Sequence, residues 1–180
     1  STVFGFAQIN RDRVLLQALR RARVASIGYE TVRDVAGRLP LLAPMSIIAG
    51  RIAIQIGTHL LHQPAGGKGK LLGGLPSTER GKVVVLGAGA AGGNSAELAA
   101  SGGANVVVFE KRQDRMAQMM ALGSNVTTLY PYEEAVAREI GPLLATDALV
   151  LSLQNGVDNA ATIASQIRQP VVPAVVYVAT

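Results

Sequence analysis

The sequence is apolar, rich in glycine and poor in charge. Of its 180 residues, 20 are Gly and none is Cys or Trp, and only 16% are charged. The charged fraction lies well below the average of about 25%, and with 49% hydrophobic residues this excludes an intrinsically disordered chain. The absence of Cys excludes disulfides, thiolate zinc sites and a Cys nucleophile, and it suits a cytoplasmic protein. Two His residues are too few for a His-rich metal site, so no metal is predicted.

The net charge of +5 is unevenly distributed along the chain. Residues 1–82 hold 12 Lys/Arg and 4 Asp/Glu, a net +8, whereas residues 83–180 hold 5 and 8, a net −3. The arginines of residues 11–23 have no aromatic residues among them, which favours a solvated face over a nucleic-acid partner. No uncharged apolar run reaches the roughly 18 residues that a membrane span requires, so no membrane span is expected.

Hydrophobic periodicity predicts alternating strands and helices. The predicted strands cover residues 3–7, 24–27, 82–86, 105–109, 125–129, 148–153 and 171–178. The predicted helices cover residues 11–21, 45–61, 114–122, 133–144 and 158–168, and a further helix of small residues follows the Gly-rich turn after residue 86 and runs to about residue 101. This order predicts an α/β fold with a Rossmann-type, doubly wound parallel sheet.

Two segments ahead of this repeat are less regular. In the helix predicted over 45–61, Met45, Ile48, Ile52 and Ile56 share one face, which favours a core stripe. Residues 63–76, called the connecting loop below, include five Gly. They are predicted to be flexible and to mark a domain boundary or hinge.

The motif that carries chemistry is Gly87-Ala-Gly-Ala-Ala-Gly92, a G-x-G-x-x-G pattern directly after a predicted buried strand. Residues 87–92 are called the glycine turn below. Gly87 permits the tight turn, Gly89 lets a pyrophosphate approach the backbone, and Gly92 lets the helix pack closely on the strand. The free N–H groups and positive dipole of the following helix favour phosphate. The pattern predicts a dinucleotide cofactor held by the turn, whose members are Gly87, Ala88, Gly89, Ala90, Ala91 and Gly92.

Glu110 follows the next predicted strand, at the position where an acid accepts hydrogen bonds from a ribose 2′-OH. Such an acid repels a 2′-phosphate and favours NAD over NADP. Lys111 and Arg112 come next and partly offset that repulsion. No Ser–His–Asp set or carboxylate pair stands out, so the residues themselves predict cofactor binding and leave the catalytic residues unknown.

Several longer segments are distinctive in their order and spacing over about residues 3–136. They are Gly28-Tyr-Glu-Thr-Val32, Leu39-Pro-Leu-Leu-Ala-Pro-Met-Ser46, Ala49-Gly-Arg51, Gly66-Gly-Lys-Gly69, Leu72-Gly-Gly-Leu-Pro76, the glycine turn and Val126-Thr-Thr-Leu-Tyr130. In these segments the chain resembles the alanine dehydrogenase family, which also includes the NAD-binding subunit of proton-translocating transhydrogenase.

This resemblance implies an oxidoreductase that transfers hydride between NAD and a small amino or 2-oxo acid, L-alanine and pyruvate. It implies part of a substrate domain over residues 1–44, a connecting helix and loop over 45–80, and a dinucleotide-binding domain over 81–180. It adds Ser46 and Arg115 as cofactor contacts, and a homo-oligomer formed through the helix over 45–61.

The sequence also departs from that family. The family's catalytic His falls at Gln8, which has no titratable group, and the segment carrying its catalytic Lys is missing. The stretch Ala7-Gln-Ile-Asn10 is similar to the transhydrogenase subunit, so an alternative is an NAD-binding module without its own chemistry.

The C-terminal segment resembles a different family. Residues 137–180 are similar to ketopantoate reductase, an NADPH-dependent enzyme, in Ile140-Gly-Pro-Leu-Leu144, Leu151-Ser-Leu-Gln-Asn-Gly-Val-Asp158 and Pro170-Val-Val-Pro-Ala-Val-Val-Tyr177. That resemblance places Asn155 near the nicotinamide. It adds a second alternative, a ketopantoate reductase fragment joined near residue 137.

Overall fold

The computed structural model describes residues 1–6 and 12–130, and the backbone of residues 150–152 and 171–173. The predicted helices over 133–144 and 158–168, together with Gln8 and Asn155, lie outside the described residues. The helices are α1 (Arg13–Arg21), α2 (Ala43–Leu61), α3 (Ala90–Ser101) and α4 (Gln113–Met120). The strands are β1 (Thr2–Gly5), β2 (Ala25–Gly28), β3 (Lys82–Leu86), β4 (Asn105–Phe109), β5 (Val126–Leu129), β6 (Val150–Ser152) and β7 (Val171–Pro173).

The chain divides into two compact units, Ser1–Ser46 and Ile47–Thr180. In the first unit, β1 and β2 pair in parallel, as the predicted strand–helix–strand pattern requires. Asp12 caps the N-terminus of α1, because its carboxylate accepts hydrogen bonds from the N–H groups of Val14 and Leu15 at 3.0 and 2.9 Å.

The second unit contains a parallel sheet in the order β3-β4-β5. The predicted bounds of β3 and β4 match the structure to the residue. The central strand β4 carries much of the core, since Val106 and Val108 are at most 1% exposed and Phe109 is 3% exposed, whereas Val107 is half-buried and Asn105 is exposed. Strands β6 and β7 form a second parallel pair. These parallel strands and their helices confirm the predicted α/β fold class.

Helix α2 buries a different face from the predicted one. Its buried residues are Gly50, Ala53 and Ile54, whereas Ile48 and Ile56 are 43% and 41% exposed. A Cβ at Gly50 would collide with the backbone carbonyl of Ala91, so the glycine permits close approach of α2 to α3. The buried Ser95 hydroxyl donates a 2.8 Å hydrogen bond to the Gly50 carbonyl at the same place. The prediction of an isoleucine core stripe is therefore wrong for the described chain, since small residues form the contact.

The connecting loop is tied to its neighbours by backbone hydrogen bonds. The N–H groups of Gly69 and Lys70 both donate to the Leu61 carbonyl, at 2.9 and 3.2 Å, and Gly67 donates to His62. Farther along, Gly81 donates to the Leu72 carbonyl at 2.8 Å. The segment predicted to be flexible is thus hydrogen-bonded, and the two units divide between Ser46 and Ile47, close to the predicted end of the first segment at residue 44.

Candidate cofactor site

The glycine turn joins the end of β3 directly to α3. Gly87 adopts a left-handed backbone with φ of +87°, which an L side chain rarely adopts. Its N–H donates to the Phe109 carbonyl at 2.7 Å, so the turn is fixed to the end of β4. Helix α3 begins at Ala90 after Gly89, and no side chain caps it. The first N–H groups of α3 therefore point out of the helix and can receive an anion.

The space around the turn differs sharply from one glycine to the next. A Cβ built at Gly89 would meet nothing within 4 Å, whereas one built at Gly92 would collide with the Gly87 carbonyl. Gly89 and Ala90 are exposed, while Ala88 is fully buried. The turn thus has an open outer face for a ligand and a closely packed inner face against β3. This geometry fits the roles assigned to the three glycines from the sequence.

Glu110 is bound to the glycine turn as well as to its own loop. Its Oε2 accepts a 2.6 Å hydrogen bond from the Ala88 N–H. Its Oε1 accepts from the N–H groups of Lys111 at 2.7 Å and Arg112 at 2.9 Å. Burial alone would raise the pKa of Glu110, but these three N–H donors and the Arg112 charge outweigh it and lower the pKa. The carboxylate is therefore negatively charged at neutral pH, at the edge of the turn.

Two further charged residues lie beside Glu110 in a pair that the sequence did not predict. Arg112 and Asp114 form a two-point contact, with Nε to Oδ1 at 3.1 Å and Nη2 to Oδ2 at 2.6 Å. The pair lowers the pKa of Asp114 chiefly through the hydrogen bond from Arg112. The charged residues of both signs between Glu110 and Arg115 were the available signal. Residues two apart do not share a helix face, and Arg112 precedes the first residue of α4, so no periodic pattern marks the contact.

The remaining predicted cofactor contacts are Lys111, Arg115, Ser46 and Asn155. Lys111 is exposed, and Arg115 lies in the first turn of α4, where its guanidinium contacts the Gln118 amide oxygen at 3.2 Å. Ser46 lies in the first turn of α2, and its N–H donates to the Leu42 carbonyl at 3.1 Å. It belongs to the first unit, whereas the glycine turn belongs to the second. Asn155 lies outside the described residues.

Within the described ranges, no group of three or more His, Asp or Glu residues is arranged to hold a metal ion. In the same part of the chain, none of the helices combines the length and apolarity needed to cross a membrane.

Comparison with known proteins decides the family. The model of the alanine dehydrogenase/PNT C-terminal domain family matches residues 53–169, which include the whole glycine turn and Glu110. The chain belongs to this family. The alanine dehydrogenase/PNT C-terminal domain binds NAD, so the predicted family, the NAD-binding domain and NAD as its cofactor are confirmed.

Individual relatives agree with the family match. The alanine dehydrogenase of Mycobacterium tuberculosis is 40% identical over 154 residues, which are 81% of this chain and 42% of that protein. The enzyme of Geobacillus stearothermophilus is 41% identical over 128 residues, 71% of this chain and 34% of that protein. The chain therefore spans less than half the length of these relatives.

Solved structures give the same result. A solved L-alanine dehydrogenase superposes with a TM-score of 0.75 and 34% identity, covering 96% of this chain and 49% of that one. A transhydrogenase from Sinorhizobium meliloti superposes with a TM-score of 0.65 at 17% identity, over 84% of this chain and 44% of that one, which shows a shared fold.

The C-terminal segment falls largely within the same family match. The family model passes through the predicted junction near residue 137 and continues to residue 169. The resemblance to ketopantoate reductase is not shown by these comparisons.

Proposed function

We propose that the complete protein is an NAD-dependent oxidoreductase that transfers hydride between NAD and L-alanine or pyruvate, and that the glycine turn and Glu110 hold the cofactor. One observation carries this proposal. The outer face of the turn is open at Gly89, while the carboxylate of Glu110 lies 2.6 Å from the Ala88 N–H of the same turn. An anion site and a ribose acceptor are therefore adjacent.

The described residues fit a dinucleotide. The first N–H groups of α3, from Ala90, Ala91 and Gly92, would donate to the pyrophosphate, because helix geometry leaves them without an acceptor in the helix. Glu110 would accept hydrogen bonds from the adenosine ribose. A carboxylate has about four lone-pair sites, and three are used by backbone N–H groups, so one remains for a ribose hydroxyl.

Four further cofactor contacts are proposed. The alanine dehydrogenase resemblance adds Ser46 and Arg115, with Arg115 near the adenosine. Lys111 follows Glu110 directly, and the ketopantoate reductase resemblance adds Asn155 near the nicotinamide. Bound NAD would supply the hydride acceptor, and this chain's residues would hold and orient it. The residue that transfers the proton is left unassigned, because Gln8 stands where the family has its catalytic His and has no titratable group.

A second candidate is an NAD-binding module without chemistry, which Gln8 favours. The two candidates differ in turnover. NADH formation from NAD+ and L-alanine, followed by absorbance, supports the enzyme. NAD+ binding without NADH formation supports the module.

Cofactor binding can be tested by titrating the chain with NADH and following the cofactor's fluorescence. Gly89→Val would place a side chain where the pyrophosphate lies, and we expect the affinity to fall by about tenfold or more. Gly5→Val is the matched control, because a Cβ there also meets open space but lies far along the chain from the turn. Equal NADH affinities of the Gly89→Val variant and the unmodified chain would contradict the proposed site.

The exposed isoleucines of α2 support assembly of the protein into a homo-oligomer. Ile48 and Ile56, which are 43% and 41% exposed, share a face with Ile52. A second copy packing on this face would cover them. Ile48→Asp should then lower the mass measured by size-exclusion chromatography with light scattering, whereas an unchanged mass would contradict the proposed homo-oligomer.

We place the protein in the cytoplasm on the basis of its Cys-free sequence.

A further inference from the structure

The choice between NAD and NADP depends on the charges around the adenosine ribose, because NADP carries a phosphate on the 2′-oxygen of that ribose and NAD does not. Glu110 supplies the negative charge that disfavours this phosphate. Lys111, Arg112 and Arg115 follow within five residues and oppose that effect. Whether the site excludes NADP therefore depends on what these cations contact.

Arg112 is the cation best placed to cancel the effect of Glu110. Its backbone N–H donates to Glu110 Oε1 at 2.9 Å, so its side chain starts beside the carboxylate. A guanidinium forms a planar fork that binds phosphate at two points. A free Arg112 side chain would thus provide a binding group for a 2′-phosphate next to Glu110.

In the structure that fork is occupied. Both Nε and Nη2 of Arg112 bind the two carboxylate oxygens of Asp114, at 3.1 and 2.6 Å. The guanidinium and carboxylate are 65% and 58% exposed, so the pair lies at the surface and not in the core. Asp114 therefore occupies the Nε–Nη2 edge, which is one of the two edges through which a guanidinium can bind a phosphate at two points.

We propose that Asp114 is a positioning residue for cofactor choice: it holds the Arg112 guanidinium and so keeps the site selective for NAD over NADP. This inference rests on the proposed cofactor site. It assigns the discrimination between NAD and NADP to two acidic residues. Glu110 repels the 2′-phosphate of NADP directly, and Asp114 holds the Arg112 guanidinium away from that phosphate.

The test measures NAD+ and NADP+ dissociation constants by calorimetry at low salt for the chain and for Asp114→Ala. Exposed ion pairs are weak, so we expect a modest change, with NADP+ binding about two- to fivefold more tightly relative to NAD+. Glu97→Ala is the charge-matched control, because it also removes one acid from an exposed arginine pair, with Arg51 at 3.3 Å. Its affinity ratio should equal that of the unmodified chain.

A double variant separates the Arg112 effect from a simple loss of negative charge. In the Arg112→Ala background, the change Asp114→Ala should leave the affinity ratio unaltered. An equal gain in that background would overturn the inference. Asp114→Asn, which keeps the size of the side chain, repeats the test if Ala disturbs the start of α4.

The failure of this inference and of the proposed function give different results. If the unmodified chain does not bind NAD+, the proposed cofactor site is wrong. If it binds NAD+ and neither Asp114 variant changes the NAD+/NADP+ ratio, including the case in which NADP+ binding stays undetectable, only the role of Asp114 is wrong.

Discussion

Two glycine-rich segments of the second unit use glycine for opposite reasons. In the connecting loop, a Cβ at Gly67 would collide with the Leu60 carbonyl and lie 2.5 Å from the Leu61 carbonyl carbon. In the glycine turn, a Cβ at Gly89 would meet nothing within 4 Å. The first glycine is required by the protein's own backbone, and the second leaves room for something that is not part of the chain.

The difference shows that glycine content by itself does not indicate flexibility. What the missing Cβ would contact separates a packing glycine from a binding glycine. Substitution at a packing glycine should change stability, and substitution at a binding glycine should change affinity. Substitution at Gly92 should change both stability and affinity. Gly92 lies in the glycine turn, and a Cβ there would contact the Gly87 carbonyl and Val85.

The largest effect is expected at Gly92. Gly92→Ala should lower the free energy of unfolding by about 1–3 kcal/mol, because the new Cβ would push α3 away from β3. It should also abolish measurable NADH binding, since the N–H groups of α3 move with the helix. Urea unfolding followed by far-UV circular dichroism and NADH titration would measure the two effects. Unchanged stability with unchanged binding would show that Gly92 is not a close contact.

A loss of stability alone is expected at Gly67. Gly67→Ala should cost about 1–3 kcal/mol of unfolding free energy, because backbone atoms of Leu60 and Leu61 occupy the space that the Cβ needs. NADH affinity should stay within about twofold of the unmodified chain once the folded fraction is corrected for. If Gly67→Ala leaves stability unaltered, the connecting loop is as mobile as its composition suggested.

The sequence predicted best where one physical signal dominates. Strands β3 and β4 are unbroken β-branched runs, and their bounds were correct because strands covered on both faces need no alternation. The stripe in α2 failed because periodicity weights large side chains, whereas Gly50 and Ala53 form the contact. Helix α2 begins at Ala43, two residues before its predicted start, because proline is tolerated in the first turn of a helix. The Arg112–Asp114 pair depends on side-chain geometry that no spacing rule specifies.

A smaller, pH-dependent effect is expected from Glu110, which links the glycine turn to the end of β4. Its folded-state pKa is lowered, so its contribution to stability is present above the unfolded pKa, near 4.5, and is lost as pH falls through the folded value. Glu110→Gln should therefore cost about 1 kcal/mol at neutral pH, from weaker hydrogen bonds to Ala88 and Arg112. The cost should vanish in strong acid. Glu97→Gln is the control variant. If Glu110→Gln lowered the free energy of unfolding by the same amount at every pH, the charge-based account would be contradicted.

The smallest effect, and the only stabilising one, is expected at Gly93. This residue follows Gly92 directly but lies in α3, where an added Cβ would meet only ordinary contacts, with the Ala88 carbonyl at 3.5 Å and Met119 at 3.8 Å. Gly93→Ala should raise the free energy of unfolding by about 0.5–1 kcal/mol, because alanine loses less backbone entropy in a helix than glycine does. Adjacent glycines would then respond with opposite signs to the same substitution. Destabilisation at both positions, measured by urea unfolding, would mean that α3 packs on β3 more tightly than the contact distances at Gly93 indicate.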